Sequence, residues 1–374
     1  MVVGARPSEG FRAMHRSVRV PCVLMRGGTS KGPFFLATDL PGDAAERDRL
    51  LISALGAGHE LQIDGIGGGS PLTSKVAIVG PSTRPDADVD YLFAQVKVAE
   101  CAVDTSPNCG NMLSAVAPFA IEQGLVRARD GRTTVRIHNV NTGKLVAATV
   151  QTPEGAVTYE GATRIDGVPG GAAPIHLTFL DAAGSKTGLL LPTGRATDVV
   201  ENVLVTCIDA AMPLVIMRAQ DLGKSGLEQP GELDADQLFM RRLEAVRRAA
   251  AVRMGLSPEL VIPKPVLIAP AHRGGTVSAR YFMPQACHRA FAVTGAVALA
   301  TACAIPGSLA QALVGQKPLD AVRIEHPSGQ LELQLSWAER AKAPTVSVVR
   351  TARRLFEGAV FARVPQTAVP LAAA

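Results

Sequence analysis

Beyond a polar, arginine-bearing stretch at 1–17, the chain breaks into short apolar runs at 18–25, 75–79, 91–98, 134–138, 145–151, 157–159 and 175–180. Most alternate or are rich in valine, and glycine or proline punctuates them, which predicts half-buried strands. Two helical periods lie between them. A short one covers 48–55. The other, over 111–123, carries Met112, Leu113, Val116, Ala117, Phe119 and Ala120 with a single charge, so it is expected to be buried on nearly every side. The theme returns after a helix over 234–254, with strands at 266–269, 277–283, 322–325, 331–335 and 346–350 and a helix from 295 to about 304 that has no charge at all. An α+β fold follows, in which two sheets each wrap a buried helix.

An internal repeat fits this reading. Gly110 precedes the hairpin-like His138-Asn-Val-Asn-Thr-Gly143 by nearly the spacing at which Gly295 precedes His326-Pro-Ser-Gly329. Duplication would bring the N-termini of the two buried helices to one cleft, a place for a polyanion. The expected division is an extension at 1–17, a first half at 18–190 completed by a C-terminal strand at 345–374, and a second half at 191–344.

Composition narrows the function. The 374 residues are 47% hydrophobic and 19% charged, which describes a turn-rich globular chain of two ordinary domains. A net charge of +5 with 4% aromatic residues and scattered basic positions points to small anions rather than nucleic acid. Arg241, Arg242, Arg247, Arg248 and Arg253 read as the solvated face of a helix whose apolar positions are Leu238, Phe239, Leu243 and Val246. The six cysteines form no C-x-x-C pair and no secretory leader precedes them, so reduced thiols in a cytoplasmic protein are expected. No run reaches about 18 uninterrupted apolar residues, so no membrane span is expected. Cys22, Cys101, Cys207 and Cys303 read as inert small apolar residues.

Three polar, glycine-rich stretches stand out: Arg26-Gly-Gly-Thr-Ser-Lys-Gly32, Gly65-Ile-Gly-Gly-Gly-Ser-Pro-Leu-Thr-Ser-Lys75 and Ser106-Pro-Asn-Cys-Gly-Asn111. Glycines there let backbone N–H groups cradle a carboxylate, with Ser and Thr hydroxyls as further donors. Gly65-Ile-Gly-Gly-Gly-Ser lacks the last glycine of a dinucleotide fingerprint, and Gly223-Lys-Ser225 has Arg218 where a P-loop needs its first glycine. Gly28-Thr-Ser-Lys-Gly32 matches the G-x-S-x-G nucleophile elbow and raises a serine hydrolase using Ser30 as a remote alternative, although Pro33 and a strand-like Phe34-Phe35-Leu36 follow instead of a helix. Cys109 lies just before the buried helix, where a helix dipole favours the thiolate and makes its proton exchangeable. Lys75 opens the apolar Val76-Ala-Ile-Val79, which places an amine at the mouth of a desolvated site as a general base. Lys31 has similar neighbours and competes for that role.

Together these stretches resemble the 4-oxalomesaconate tautomerase and 2-methylaconitate isomerase family, whose fold is that of diaminopimelate epimerase. The resemblance rests on Met25-Arg-Gly-Gly-Thr-Ser-Lys-Gly32, Gln62-Ile-Asp-Gly-Ile-Gly-Gly68, Leu72-Thr-Ser-Lys-Val-Ala-Ile78 and Asn108-Cys-Gly-Asn111. Thr163-Arg-Ile-Asp-Gly-Val-Pro-Gly170, Leu191-Pro-Thr-Gly194, Val205-Thr-Cys-Ile-Asp209 and Val349-Arg-Thr-Ala-Arg353 also fit, so it runs from about Val20 to Val364. Asp88-Val-Asp-Tyr-Leu-Phe-Ala-Gln-Val96, and Cys287-His288 followed by Val293-Thr-Gly-Ala-Val297, are most similar to the oxalomesaconate branch.

The resemblance implies an isomerase without cofactor or metal in which Lys75 and Cys109 work across the substrate, and it selects Lys75 over Lys31. Diaminopimelate epimerase uses one cysteine from each half. Here the second half offers Cys287 and His288 in a different setting, so a proton shift suits the pair better than stereoinversion. The implied substrate is 4-oxalomesaconate of gallate-type aromatic catabolism, with 2-methylaconitate of propionate breakdown as the alternative. The expected binding set is Arg26, Gly28, Thr29, Ser30, Gly68, Gly69, Ser70, Ser74, Asn108, Gly110, Asn111, Arg280 and His288. Expected partners are a small tricarboxylate and, at most, a second copy as a homodimer, with no nucleic acid and no membrane.

Overall fold

The computed structural model describes residues 15–283, 286–315, 318–339, 341 and 343–365. Its first run of elements is β1 (His15–Gly27), β2 (Ser30–Leu36), α1 (Ala44–Leu55), β3 (Lys75–Pro81), β4 (Val89–Val96), β5 (Val103–Asp104), α2 (Gly110–Leu113), α3 (Val116–Glu122), β6 (Gly131–Asn139), β7 (Lys144–Thr152) and β8 (Ile175–Phe179). A second run follows: β9 (Asp198–Val200), β10 (Val203–Asp209), β11 (Pro213–Arg218), α4 (Pro230–Ala235), α5 (Gln237–Arg253), β12 (Lys264–Ala269), β13 (Val277–Met283), β14 (Ala286–Cys287), α6 (Val293–Ala304), α7 (Leu309–Val314), β15 (Ala321–His326), β16 (Gly329–Ser336), β17 (Thr345–Arg350) and β18 (Ala352–Pro365).

The two runs pair in the same way. β1 and β2 are antiparallel, β2 and β3 parallel, and β3 and β4 antiparallel; β10, β11, β12 and β13 repeat that sequence. β4 then pairs parallel with β6, as β13 does with β15, and antiparallel hairpins β6–β7 and β15–β16 follow. The strand after each run crosses over: β9 pairs with β10, and β18 returns along β1. β17 bridges to β8. Of the expected C-terminal region, therefore, β18 and not 345–350 lies beside β1. The expected N-terminal extension is shortened, because β1 already begins at His15; residues 1–14 and 366–374 lie outside the described set.

Both charge-poor helices are buried as composition predicts. Every residue of α2, and Val116–Ile121 of α3, is buried, as are all residues of α6 from Val293 to Cys303. The first is not one helix, however. Pro118 has no N–H to give the carbonyl of Ser114 and its ring crowds that carbonyl, so the chain breaks at Ser114–Ala115 between α2 and α3. The N-termini of α2 and α6 meet: a Cβ on Gly110 would lie 2.7 Å from Val293 Cβ. One core joins both helices to strands of both runs, and two flanking cores lie under α1 and α5.

Other expectations change. The 157–159 run forms no strand; Tyr159 instead donates its hydroxyl to Glu122 at 2.8 Å. The helix over 234–254 is two, split at Asp236, which caps α5 through the Phe239 N–H. Its arginines are not all solvated. Arg247 is 2% exposed, pairs with Glu244 at 2.6 Å and donates to the carbonyls of Pro258, Leu260 and Ile262, whereas Leu238 is exposed. Cys101, expected to be an apolar filler, is also exposed. No described helix is long and apolar enough to cross a membrane.

Candidate active site

Strand alternation aims Lys75. Ala77 and Val79 of β3 belong to the shared core, while Val76 and Ile78 pack under α1, so Lys75 projects to the shared side. By the same rule, Phe34 of β2 faces the shared core and Phe35 faces α1, which turns Ser30 toward Lys75 and Lys31 away from it. Lys75 Nζ donates to Cys109 Sγ at 3.7 Å and sits 5.2 Å above the centroid of the Phe93 ring. The two groups lie side by side, not across an open gap.

Cys109 is the N-cap of α2 and is buried. The residues around it hold it from both runs of the fold. Asn108 Nδ2 donates to the Ala211 carbonyl, next to the β10–β11 turn, at 3.1 Å, and Asn111 Nδ2 donates to Thr29 Oγ1 in the β1–β2 turn at 3.0 Å. Tyr91 donates its hydroxyl to the Cys109 carbonyl at 3.2 Å. Asn-Cys-Gly-Asn is thus a clamp: two amides fix the backbone, and Gly110 admits Val293. Because α2 is a single turn, the long dipole expected behind Cys109 is absent.

The glycine-rich stretches hold Lys75 more than they offer donors. Gly28 N–H is bonded to the Thr351 carbonyl at 2.9 Å, Gly68 N–H to that of Thr73 at 3.2 Å, and Gly69 N–H to Gln62 Oε1 at 2.9 Å. Ser70 Oγ shares a hydrogen bond with Thr73 Oγ1, and Ser74 donates to Gln62 Oε1 at 2.5 Å and to the Ser70 carbonyl at 2.8 Å. The expected anion cradle at Gly28, Gly68, Gly69, Ser70 and Ser74 is therefore corrected: these donors are bonded within the protein, those of Gly69 and Ser74 to Gln62, a buried side chain that sequence reasoning passed over. By contrast, Ser30 is buried with no hydrogen-bond partner for Oγ, and Asn108 Oδ1 is likewise unpartnered. Ser30 opens a strand after a two-residue turn, not the helix of a nucleophile elbow, and among the described residues no base hydrogen-bonds to it.

Gly32 marks where β2 presses on Lys75. A Cβ there would lie 1.7 Å from the Lys75 carbonyl oxygen, a backbone clash that no rotamer relieves. Gly32→Ala is expected to cost about 3 kcal/mol and to lower turnover by displacing Lys75, as read from denaturant midpoints and rates on one preparation.

Two expected arginines are used elsewhere. Arg26 gives one guanidinium nitrogen to the Gly28 carbonyl and to the Thr351 carbonyl and hydroxyl, each at 3.0 Å, fastening the turn to the strand crossover. Arg280 alternates with Ala279 and Tyr281, which face the shared core, and so lies on the opposite face, where Nε donates to the Glu228 carbonyl at 2.7 Å. Cys287 packs in the core under α5, where burial raises its thiol to about 12.

His288 does lie in the neighbourhood. Its backbone N–H meets the Tyr281 carbonyl at 2.7 Å and its Nδ1 accepts from Ala290 N–H at 2.9 Å, which leaves the proton on Nε2. Burial first, and then the charge of Lys75, lower it to about 4, so it is a neutral donor and not a titrating base. Lys264, unremarked in the sequence, is also buried; burial first, then Arg247 and Lys75, lower its amine to about 8.

His326, on the β15–β16 hairpin, is lowered to about 4 as well, by burial first. Both histidines hold folded values below the ordinary 6.5, so the unfolded chain binds protons that the folded one refuses. Stability is then level above the unfolded value and falls with pH from there toward 4, by about 3 kcal/mol per histidine over the full interval. Urea midpoints should drop between about pH 7 and about pH 5, and His326→Gln should remove part of that slope.

Residues 17–363 match the family described as PrpF protein. A 4-oxalomesaconate tautomerase of Pseudomonas putida is 51% identical over 346 residues, which cover 91% of this chain and 96% of that protein. A (4E)-oxalomesaconate Delta-isomerase of Novosphingobium sp. is 48% identical, with 91% and 97% covered. A 2-methyl-aconitate isomerase of Shewanella oneidensis is 37% identical, with 93% and 98% covered. Among solved structures, a methylitaconate-delta-isomerase superposes with a TM-score of 0.80 at 36% identity, covering 92% of this chain and 96% of that one. The α+β expectation is met by that likeness, and with a match spanning both runs of strands and relatives near half identity, this chain belongs to the PrpF protein family.

Proposed function

We propose that the chain is an isomerase of 4-oxalomesaconate that moves one proton between Lys75, Cys109 and the substrate. The contact of Lys75 Nζ with Cys109 Sγ carries this reading, because it puts an amine and a thiol together in a buried setting. A proton on a carbon flanked by carboxylate and conjugated ketone is already acidic, so an amine and a thiol suffice to remove and return it. One group takes the proton to give a dienolate, and the other delivers a proton elsewhere on that system. The Nε2–H of His288, free because Nδ1 accepts from Ala290, is a donor for the negative charge of the dienolate. The oxalomesaconate branch is favoured over 2-methylaconitate by the higher identities of the relatives named for it. Aromatic-acid catabolism in the cytoplasm is the corresponding setting.

The test is to incubate the purified enzyme in deuterated water with 4-oxalomesaconate and, separately, 2-methylaconitate. An ultraviolet change and deuterium at a defined carbon are expected with the first. Turnover of 2-methylaconitate alone would move the assignment to the other branch, and binding without isotope uptake would remove the catalytic reading.

A further inference from the structure

Lys264 opens β12 as Lys75 opens β3. Each is the first residue of the strand that pairs parallel with the second strand of its run and antiparallel with the next. Alternation also matches: Val266 and Ile268 face the shared core with Ala77 and Val79, whereas Leu267 and Ala269 pack under α5. Lys264 therefore projects to the same side as Lys75. It is 8% exposed, and among the described residues its amine makes no hydrogen bond or ion pair.

The side chain is nearly buried, but its amine is not sealed from solvent, so its charge stays open to an incoming anion. The charged groups that act on it come from every side: Arg247 of α5, Lys75 of β3 and Asp104 of β5, with His288 after β14 feeling Lys264 in turn. Three of these four are basic, and Asp104 forms no ion pair with it. Arg247 also ties down the carbonyls of Pro258, Leu260 and Ile262, the segment that delivers Lys264 to its strand. The amine is therefore free to pair with an incoming carboxylate, and its projection to the same side as Lys75 gives the cleft.

We infer that Lys264 is the second cationic anchor of the active site, binding one carboxylate of the substrate while Lys75 and Cys109 carry the proton. This rests on the polycarboxylate reading above and adds the group that would distinguish a substrate with an extra carboxylate from one lacking it. As a positioning group, Lys264 acts on binding more than on the chemical step.

Tricarballylate, a saturated tricarboxylate that the proton shift cannot consume, is the probe. Calorimetry on the full-length enzyme should give binding that weakens about 10- to 100-fold in Lys264→Met and recovers in part in Lys264→Arg. With substrate, KM should rise by that factor while kcat falls much less. Thermal melting of the Met variant should stay near that of the unaltered enzyme, since no hydrogen bond or ion pair is lost; if it fails to fold, Lys264→Gln is read in its place. Equal tricarballylate affinity in the unaltered and Met or Gln enzymes would overturn the inference and leave the isomerase reading standing. No binding by the unaltered enzyme would overturn the tricarboxylate reading and this inference with it.

Discussion

Lys75→Met is expected to lower kcat by about 10³-fold or more while the protein folds and binds a tricarboxylate. Methionine keeps the length of the lysine stem and its packing over Phe93, and the backbone contact with Gly32 is untouched; only the amine is lost. General acid–base groups contribute about 10²- to 10⁴-fold, and here the amine also faces the charge that develops on the intermediate. Stability should hold, because loss of the amine removes a positive charge that disfavours the Lys264 ammonium. Lys75→Arg separates the two contributions: it keeps the positive charge but has no neutral form to take a proton, so its kcat should fall nearly as far. A Met variant that retains a tenth of the activity would mean that the proton leaves by another route.

Where the sequence was readable, the signal was local. Helices without charge have to be buried, and a polar Asn-Cys-Gly-Asn at the start of one has to lie where the two runs meet, which is where Asn108 and Asn111 take hold. Lys75 stood out because a lysine followed by four apolar residues is unusual at a strand start. Lys264 opens a strand too, but the apolar run that marks it begins at Val266, after Pro265, so the lysine falls outside the expected strand. The β10 and β11 runs, apolar without alternation, were passed over as strands for the reason that fully buried strands carry no period.

What failed needed tertiary information. A loop rich in glycine and hydroxyls has donors in plenty, but whether they point outward or into a hub such as Gln62 is fixed by partners distant in sequence. The side taken by Arg280 depends on register, since a shift of one residue reverses the face. The break in the first buried helix was written in Pro118, and the helical period outweighed it.

Cys109→Ala should be the companion loss, with kcat down about 10²- to 10⁴-fold and the fold retained. The clamp acts on the backbone through Asn108, Asn111 and Tyr91, not through the thiol, so removing sulfur leaves the loop in place at a cost of about 1 kcal/mol for the small cavity. The informative measurement is isotope exchange in each crippled enzyme. If Lys75 removes the proton, Cys109→Ala still takes it, exchanges it with deuterated water through the ammonium and returns deuterium to the original carbon without forming product. If Cys109 removes it, that exchange appears in Lys75→Met instead. A division of labour between the two groups requires exchange to survive in one variant only. Isomerisation at a near-normal rate in either variant would break the pairing of amine and thiol on which the assignment stands.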